Sequence, residues 1–107
     1  MTYEEIVAAV REAAQKADAS GIKDHVAFQF NITGEGEGAF YLEIKDGQAI
    51  VEPYDYKDRD VLITSSAKNI IDIMNGKLDP VLAFTLKKIH VEGDLGKALL
   101  LKDAVKK

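Results

Sequence analysis

Few side chains in this sequence combine the residue types and the spacing that catalysis or metal binding needs. The 107 residues contain two histidines, His25 and His90, and no cysteine, which excludes disulfides, thiolate nucleophiles and zinc–thiolate sites. Each histidine falls in a predicted strand, and no serine or aspartate stands at a diagnostic catalytic-triad spacing. Asp55, Asp58 and Asp60 lack the spacing and the glycine of a calcium-binding loop. We therefore expect no catalytic residue, no metal site and no cofactor.

Two glycine-containing segments superficially resemble phosphate-binding loops. A phosphate loop leads from a strand into a helix, whereas the segment 34–38 joins two predicted strands. That segment also carries Glu35 and Glu37, whose charges would repel phosphate. Gly96-Lys97 lacks the upstream glycine of a nucleotide-binding loop. We expect segment 34–38 to be a mobile hairpin turn.

A general acid–base pair inside an apolar cavity is the best enzyme hypothesis for this chain. A carboxylate or histidine with a strongly perturbed pKa facing such a cavity would favour an isomerase- or hydrolase-type enzyme. Glu43, Glu52 and Glu92 instead fall on the polar positions of their predicted strands. The enzyme therefore stays an alternative rather than the leading interpretation.

Length and charge limit the remaining function classes. We expect one domain over residues 1–107. The net charge of −4 argues against a nucleic-acid partner, because neutralising phosphates needs clustered lysine and arginine. No apolar run approaches the roughly 18 residues of a membrane span. The segment 1–5 is acidic where a signal peptide would be basic, which predicts a cytoplasmic protein.

Hydrophobic periodicity predicts the order helix, three-strand meander, strand, two helices, strand, helix. The predicted helices lie at about 2–18, 66–75, 80–86 and 95–105, and the predicted strands at 25–33, 40–45, 48–52, 61–64 and 87–92. Thr2 and Glu5 have the spacing of a capping box, and Asp46-Gly47 predicts a two-residue hairpin. The fold class is α+β, a five-stranded, mostly antiparallel sheet with helices packed on one face.

The two middle helices meet at a corner that is unusually apolar. Asn75-Gly76-Lys77 is a helix stop, and Asp79-Pro80 is a helix start. Both helices present more apolar surface than short surface helices need. With no catalytic constellation beside them, this pattern indicates a chain that encloses an apolar ligand.

This order of elements, together with the segment 60–101, resembles the sterol carrier protein family, whose members are type-two sterol carriers or non-specific lipid-transfer proteins. The residues that carry the resemblance are Asp60, Val61-Leu62-Ile63-Thr64, Ile70 to Met74, Asn75 to Pro80, Ala83-Phe84, Lys88-Ile89 to Val91, Gly93-Asp94 and the hairpin Ile44 to Gly47. In outline the resemblance covers nearly the whole chain, and the helix corner is its specific part.

The resemblance implies an apolar tunnel between the sheet and the helices. It implies binding of a fatty acid, a fatty acyl-CoA, a phospholipid or a sterol, without a metal or a catalytic residue. The matching wall positions would be Phe28, Phe30, Leu42, Ile44, Leu62, Ile70, Ile73, Met74, Leu82, Phe84, Ile89, Leu95 and Leu99.

The chain departs from the animal members of that family in two ways. Its C-terminal residues, Val105-Lys106-Lys107, differ from a Ser-Lys-Leu type peroxisomal address. Its acidic charge does not favour attraction to anionic membranes. A stand-alone acidic member looks prokaryotic, which makes a sterol the least expected of the ligands.

An empty apolar cavity would be costly for a chain of this size. At about 24 cal/mol per Å³, a void of about 300 Å³ costs about 7 kcal/mol, which is comparable to the whole stability of a small domain. We therefore expect the cavity to be filled by lipid, narrowed by collapse or open only part of the time.

The last predicted helix has too many apolar residues for one narrow stripe, namely Leu95, 98–101 and Val105. One interpretation is a helix wedged in the core or paired with a second subunit. The other is a movable lid, or a helix in transient contact with a membrane, assisted by Lys97, Lys102, Lys106 and Lys107. For the whole chain, the leading interpretation is lipid binding by a monomer or a homodimer. The alternatives are an isomerase- or hydrolase-type enzyme and a dimerising module without a ligand.

Overall fold

The structure is a computed structural model that describes residues 1–17 and 19–105. In chain order its elements are α1 (Tyr3–Lys16), β1 (Val26–Thr33), β2 (Gly38–Lys45), β3 (Gln48–Glu52), β4 (Val61–Ser66), α2 (Ala67–Met74), α3 (Pro80–Thr85), β5 (His90–Gly93), α4 (Leu95–Ala98) and α5 (Leu100–Val105). Two of the four lysines predicted to assist a lid or a membrane-touching last helix, Lys106 and Lys107, lie outside the described residues.

The strands form one mixed sheet in the order β3-β2-β1-β4-β5. The meander β1-β2-β3 and the pair β4-β5 are antiparallel, whereas β4 runs parallel to β1. A parallel neighbour cannot follow through a tight hairpin, so residues 53–60 cross from one side of the meander to the other. The predicted α+β class with a mostly antiparallel sheet is confirmed.

Strand alternation places large apolar side chains on the face that carries the helices. Phe28 lies opposite Leu42, and Phe30 lies opposite Phe40, with the two phenylalanine rings stacked at 5.3 Å between centroids. This face, which we call the core face, is fully buried at these positions. The opposite face of the sheet, which we call the outer face, carries Gln29 and the other residues that alternate with these core-face positions.

The first strand is more buried than its alternation predicts, because Ala27 and Gln29 on the outer face are buried as well. The crossing segment 53–60 covers them. The Tyr56 N–H and the Arg59 Nη1 donate hydrogen bonds to Gln29 Oε1 at 3.1 and 3.3 Å. The expected half-buried strand is therefore wrong for β1, since a polar loop packs over its second face.

The first helix begins as predicted and ends earlier. Thr2 and Glu5 form the predicted capping box, with Thr2 as the N-cap. The helix ends at Lys16 because Ala17 adopts an extended backbone. The end predicted at residue 18 lies outside the described residues.

Helices α2 and α3 end in similar turns, and the first of these turns forms the helix corner. At the end of α2, Gly76 has a positive φ, and Lys77 N–H donates to Asp72 O at 2.8 Å. At the end of α3, Lys87 has φ 61°, and Lys88 N–H donates to Ala83 O at 2.8 Å. Lys87 and Lys88 form the turn that ends α3. Strand β5 therefore begins at His90 rather than at residue 87, where the sequence predicts it.

The last predicted helix is divided. Asp94 caps α4 by accepting a hydrogen bond from the Lys97 N–H at 3.0 Å. A turn at Leu99 then separates α4 from α5, and the Lys102 N–H bonds to the Leu99 carbonyl three residues back. The single helix predicted at 95–105 is therefore two short helices, α4 and α5.

Candidate functional site

An apolar pocket of about 200 Å³ lies between the core face and the last three helices, at the β4–β5 side of the sheet. All of its lining residues are apolar: Ile63, Pro80, Val81, Phe84, Ile89, Val91, Leu95, Ala98, Leu99 and Leu101. It is partly open to solvent, so it is a groove rather than a closed cavity.

Local geometry explains why these residues meet. Ile63 and Val91 are direct cross-strand partners of β4 and β5, and they form the floor. Val81 and Phe84 are three residues apart on α3 and form one wall. On the facing wall, the helical spacing of positions 95, 98 and 99 aligns their side chains, and Leu101 of α5 closes the base.

The rim of the pocket is unusually exposed for apolar residues. Val81 and Phe84 are 41% and 47% exposed, and Leu95 and Leu99 are 55% and 56% exposed. The base of the pocket is buried in contrast, because Ile63 and Leu101 are almost fully inaccessible to solvent. A contiguous exposed apolar patch around a concavity is typical of a site that binds an apolar partner.

The predicted wall positions divide into three groups. Phe84, Ile89, Leu95 and Leu99 line the pocket. Phe28, Phe30, Leu42, Ile44, Ile70, Ile73 and Met74 lie in the core with at most 2% exposure, so that no water-sized space remains against them. Leu62 and Leu82 line neither region, and Leu82 is half exposed on α3.

Leu62 lies on the wrong face for the predicted wall. It pairs with Gln29 on one side and Glu92 on the other, both of which belong to the outer face. The pocket residue of this strand is Ile63, one position later. A shift of one residue moves a side chain to the other face of a sheet, so Leu62 is replaced by Ile63.

The expected tunnel also differs from the observed open volume. The centre of the sheet and the inner side of α2 are filled by side chains, because Phe30, Ile70 and Met74 are buried in one hydrophobic core. The apolar pocket lies instead under α3, α4 and α5. This arrangement avoids the large cost of an empty tunnel in the middle of the domain.

Sequence reasoning missed six lining residues, Ile63, Pro80, Val81, Val91, Ala98 and Leu101. The alternation of Val61, Ile63 and Ser65 carried a signal for the first of them, because it places residue 63 in the buried phase. Nothing in the sequence signals that the helices leave a gap over β4 and β5 rather than over the centre of the sheet.

Two ion pairs hold the helices that flank the pocket. Lys102 Nζ lies 3.2 Å from Asp79 Oδ2, which connects α5 to the start of α3. Lys97 Nζ lies 3.1 Å from Asp60 Oδ1, which connects α4 to the start of β4. The first pair joins two helices and the second joins a helix to the sheet, and both involve the segment 95–105, for which the sequence allows a movable lid.

The two carboxylates stay ionised well below neutral pH. The hydrogen bond from Lys102 is the largest effect on Asp79, and it lowers the pKa of that carboxyl. Burial by itself would raise the pKa of Asp60, but hydrogen bonds from the Ala27 N–H and from Lys97 outweigh burial, so this pKa is also lowered.

The outer face carries a group of three titratable side chains, His25, Glu43 and Tyr56. His25 Nε2 and Glu43 Oε2 are 2.6 Å apart, and the Tyr56 hydroxyl donates to the same oxygen at 2.9 Å. The hydrogen bond with His25 is the largest effect that lowers the pKa of Glu43, and the bond to Glu43 raises the pKa of Tyr56. The group therefore holds a carboxylate ion in place and secures the crossing segment.

This cluster lies on the opposite side of the sheet from the pocket, as do Glu52 and Glu92. The exposed side chain of His90 bonds to Glu92, with 3.1 Å between Nε2 and Oε1. The structure thus does not bring together the acid–base pair and the apolar cavity that the enzyme hypothesis requires.

Residues 1–17 and 19–105 contain no group of three histidine, aspartate or glutamate side chains close enough to hold a metal ion. Over the same residues, the longest apolar helix falls short of what crossing a bilayer requires.

Comparison with known proteins identifies relatives over nearly the full length. The chain is 32% identical over 101 residues to hydroxysteroid dehydrogenase-like protein 2 of Xenopus tropicalis, covering 94% of this chain and 23% of that protein. It is 30% identical over 70 residues to sterol carrier protein 2 of Bos taurus, covering 65% of this chain and 13% of that protein. The chain spans about a quarter or less of the length of these relatives.

Solved structures share the fold. Palmitated SCP2L2 of Aedes aegypti superposes with a TM-score of 0.69 and 22% identity, covering 100% of this chain and 96% of that one. The mosquito AeSCP-2 complex with palmitate gives a TM-score of 0.63 at 18% identity, covering 99% and 96%. A variant of the sec-alkyl sulfatase PisA1 gives 0.72 at 14% identity, covering 89% of this chain and 15% of the enzyme.

A protein-family model also matches this chain. The model of the SCP-2 sterol transfer family matches residues 4–106, which include both the helix corner and all residues of the pocket. The chain therefore belongs to the SCP-2 sterol transfer family.

Proposed function

We propose that this chain binds the acyl chain of a lipid in the apolar pocket and transfers it without covalent chemistry. The lipid would be a fatty acid, a fatty acyl-CoA or a phospholipid, with a sterol less expected. The observation that carries the proposal is a pocket built only from apolar side chains whose rim is left half exposed. Palmitate in the solved structures of two mosquito members supports the choice of an acyl chain.

The size of the pocket implies that it widens on binding. Its volume of about 200 Å³ is below the range of about 300–1,000 Å³ that is typical of small-molecule sites. The short helices α4 and α5, joined by the turn at Leu99, are the elements whose displacement would lengthen the pocket toward the core. We propose that they act as the lid, with the deeper predicted wall residues reached only when they move.

The expected affinity is modest and the head-group selectivity is loose. Each buried methylene contributes about 0.8 kcal/mol, so ten contribute about 8 kcal/mol. Association entropy and opening of the helices offset several kcal/mol of this gain, which leaves micromolar binding. Since no polar side chain lines the pocket, the head group would stay at the mouth in water.

A binding role fits the site better than an enzymatic one. None of the lining side chains can transfer a proton or act as a nucleophile. The charged groups with shifted pKa values serve caps, ion pairs and the outer-face cluster. The cytoplasmic location expected from the sequence stays a prediction.

Native mass spectrometry of gently purified protein tests the proposal. We expect bound lipid, or a delipidated monomer that takes up one palmitate per chain. A ligand-free dimer that does not bind palmitate would instead support the dimerising module, in which the exposed rim of the pocket is a subunit interface. A delipidated monomer that binds no palmitate, acyl-CoA or phospholipid would refute lipid binding.

A further inference from the structure

The pocket as it stands is too small for the whole of a long acyl chain. A methylene occupies nearly the volume of a water molecule in the liquid, about 30 Å³, so a pocket of about 200 Å³ holds about seven methylenes. Palmitate, a C16 fatty acid, needs more than twice that space. Octanoate therefore fits the pocket nearly as it stands, whereas palmitate enters fully only if part of the wall is displaced.

Among the three helices that line the pocket, α4 is held least by the hydrophobic core. None of the residues Leu95–Ala98 is buried. In contrast, α3 buries Pro80 and Ala83, and α5 buries Leu101 and two residues of its last turn. Outward movement of α4 therefore disturbs less apolar packing than movement of either of its neighbours.

Two polar contacts to Asp60, which directly precedes β4, tie α4 to the sheet. The Asp94 N–H donates to Asp60 O at 2.9 Å where α4 begins, and Lys97 Nζ donates to Asp60 Oδ1 at 3.1 Å. The other carboxylate oxygen accepts a hydrogen bond from the Ala27 N–H at 2.9 Å, which fixes Asp60 against β1. Gly93, with φ 104°, passes so close to Asp60 O that a side chain there would collide with it.

The contact that must break when α4 moves is the ion pair. The backbone bond from Asp94 lies at one end of α4, and the turn at Leu99 lies at the other end. Both ends stay attached when the middle of α4 moves outward, because the chain can bend at them. Lys97 lies between these ends, so its side chain has to leave Asp60.

The surroundings of Lys97 strengthen this ion pair. The hydrogen bond to Asp60 is the largest effect that raises the pKa of Lys97, and the negative charges of Asp94 and Asp24 raise it further. The side chains of Lys97 and Asp60 are only 37% and 26% exposed. Water therefore screens this pair less than it screens a fully exposed pair.

We infer that the ion pair between Lys97 and Asp60 is a latch on α4 that makes lipid binding depend on the length of the acyl chain. A chain as short as that of octanoate binds while the latch is closed, whereas a chain as long as that of palmitate enters and leaves only when it opens. This inference rests on the proposed function, because it assigns the part of the proposed lid that opens. Lys97 does not line the pocket, so it is a positioning residue rather than a ligand contact.

The ion pair between Lys102 and Asp79 offers an internal comparison. It has nearly the same length, 3.2 Å, and joins α5 to the beginning of α3. Burial of Leu101, Ala104 and Val105 holds α5 independently of this pair. Loss of the Lys102 charge should therefore leave α5 in place and should not open the pocket.

Stopped-flow transfer of palmitate from the loaded full chain to excess serum albumin tests the latch. Because this chain has no tryptophan, the tryptophan fluorescence of albumin reports the transfer alone. We expect Lys97→Met to speed palmitate release about fivefold, which is the most that a partly exposed ion pair contributes. Lys97→Arg, which can keep the pair, and Lys102→Met should both release palmitate within about twofold of the wild-type rate.

Titration with octanoate separates the latch from a general loosening of the domain. Octanoate fits beneath a closed α4, so its affinity should differ by no more than about twofold between wild type and Lys97→Met. Wild type should bind palmitate much more tightly than octanoate, because the opened pocket buries the additional methylenes.

The outcomes distinguish the latch from the proposed function. Equal affinities for palmitate and octanoate would show that the excess carbons stay in water, and this would overturn the latch. Unchanged release from a folded Lys97→Met protein, equal acceleration by Lys102→Met, or an equal change in octanoate binding would also overturn it while leaving lipid binding intact. A wild-type chain that binds neither fatty acid would refute the proposed function and the latch together.

Discussion

Replacing Ala98 by tryptophan is expected to lower the affinity for palmitate more than a hundredfold while the protein stays folded. Ala98 lies on α4 with its small side chain facing the pocket, and it is only partly buried. An indole at this position would occupy much of the about 200 Å³ available. Excluding about four methylenes of the ligand costs about 3 kcal/mol, at about 0.8 kcal/mol each.

The matched control is Ala8→Trp, which makes the same change at an exposed position on α1. Palmitate titration should give unchanged affinity for that control, and the free energy of unfolding should differ by no more than about 1 kcal/mol in either variant. Wild-type affinity in a folded Ala98→Trp protein would show that the acyl chain binds elsewhere.

Alanine substitutions of two phenylalanines that the sequence assigns to the same wall should have opposite effects. One should mainly lower the free energy of unfolding, and the other should mainly weaken palmitate binding. Phe30 is fully buried against Phe40, so Phe30→Ala should reduce the free energy of unfolding by about 3–5 kcal/mol. That loss is a large part of the about 5–15 kcal/mol that stabilises a typical domain. Phe84 is half exposed, so Phe84→Ala should cost only about 1 kcal/mol.

Ligand binding should show the reverse order. Loss of the Phe84 ring removes one side of the pocket and should weaken palmitate binding about tenfold, because part of the buried ligand surface returns to water. Urea unfolding and palmitate titration of both variants, with conditions chosen so that Phe30→Ala remains folded, measure the two effects. Equal destabilisation by the two substitutions would contradict the division into core and pocket.

The sheet and its buried face could be predicted because their signals are local. Alternation in β2 places Phe40, Leu42 and Ile44 on one face, and the Asp46-Gly47 hairpin fixes the register with β3. The helix stop at Gly76 and the start at Pro80 are likewise encoded within a few residues. Each of these predictions depends on backbone preferences that tertiary packing does not override here.

The position of the pocket could not be predicted in the same way. Phe30 and Phe84 look equivalent as large apolar residues. Only the tertiary arrangement buries Phe30 in the core and leaves Phe84 at the edge of the pocket. The division of the last helix at Leu99 depends on how α4 and α5 pack on different neighbours, including the ion pairs to Asp60 and Asp79. Periodicity indicates that a face is buried, but it does not indicate what covers that face.

The outer face shows a further limit of sequence reasoning. His25 and Glu43 are 18 positions apart and come together only through pairing of β1 with β2. Burial of Gln29 requires the crossing segment, whose polar composition predicts an exposed loop. These contacts are non-local, and they make one face of β1 more buried than its alternation suggests.

The most direct test of the central claim, that an acyl chain lies in this pocket, is to measure nuclear Overhauser effects between bound palmitate and methyl-labelled protein. Contacts are predicted from the chain methylenes to the methyl groups of Ile63, Val81 and Leu99, which line the pocket on three sides. Contacts to Leu62 or Ile50 on the outer face, with none to the pocket methyl groups, would contradict the account.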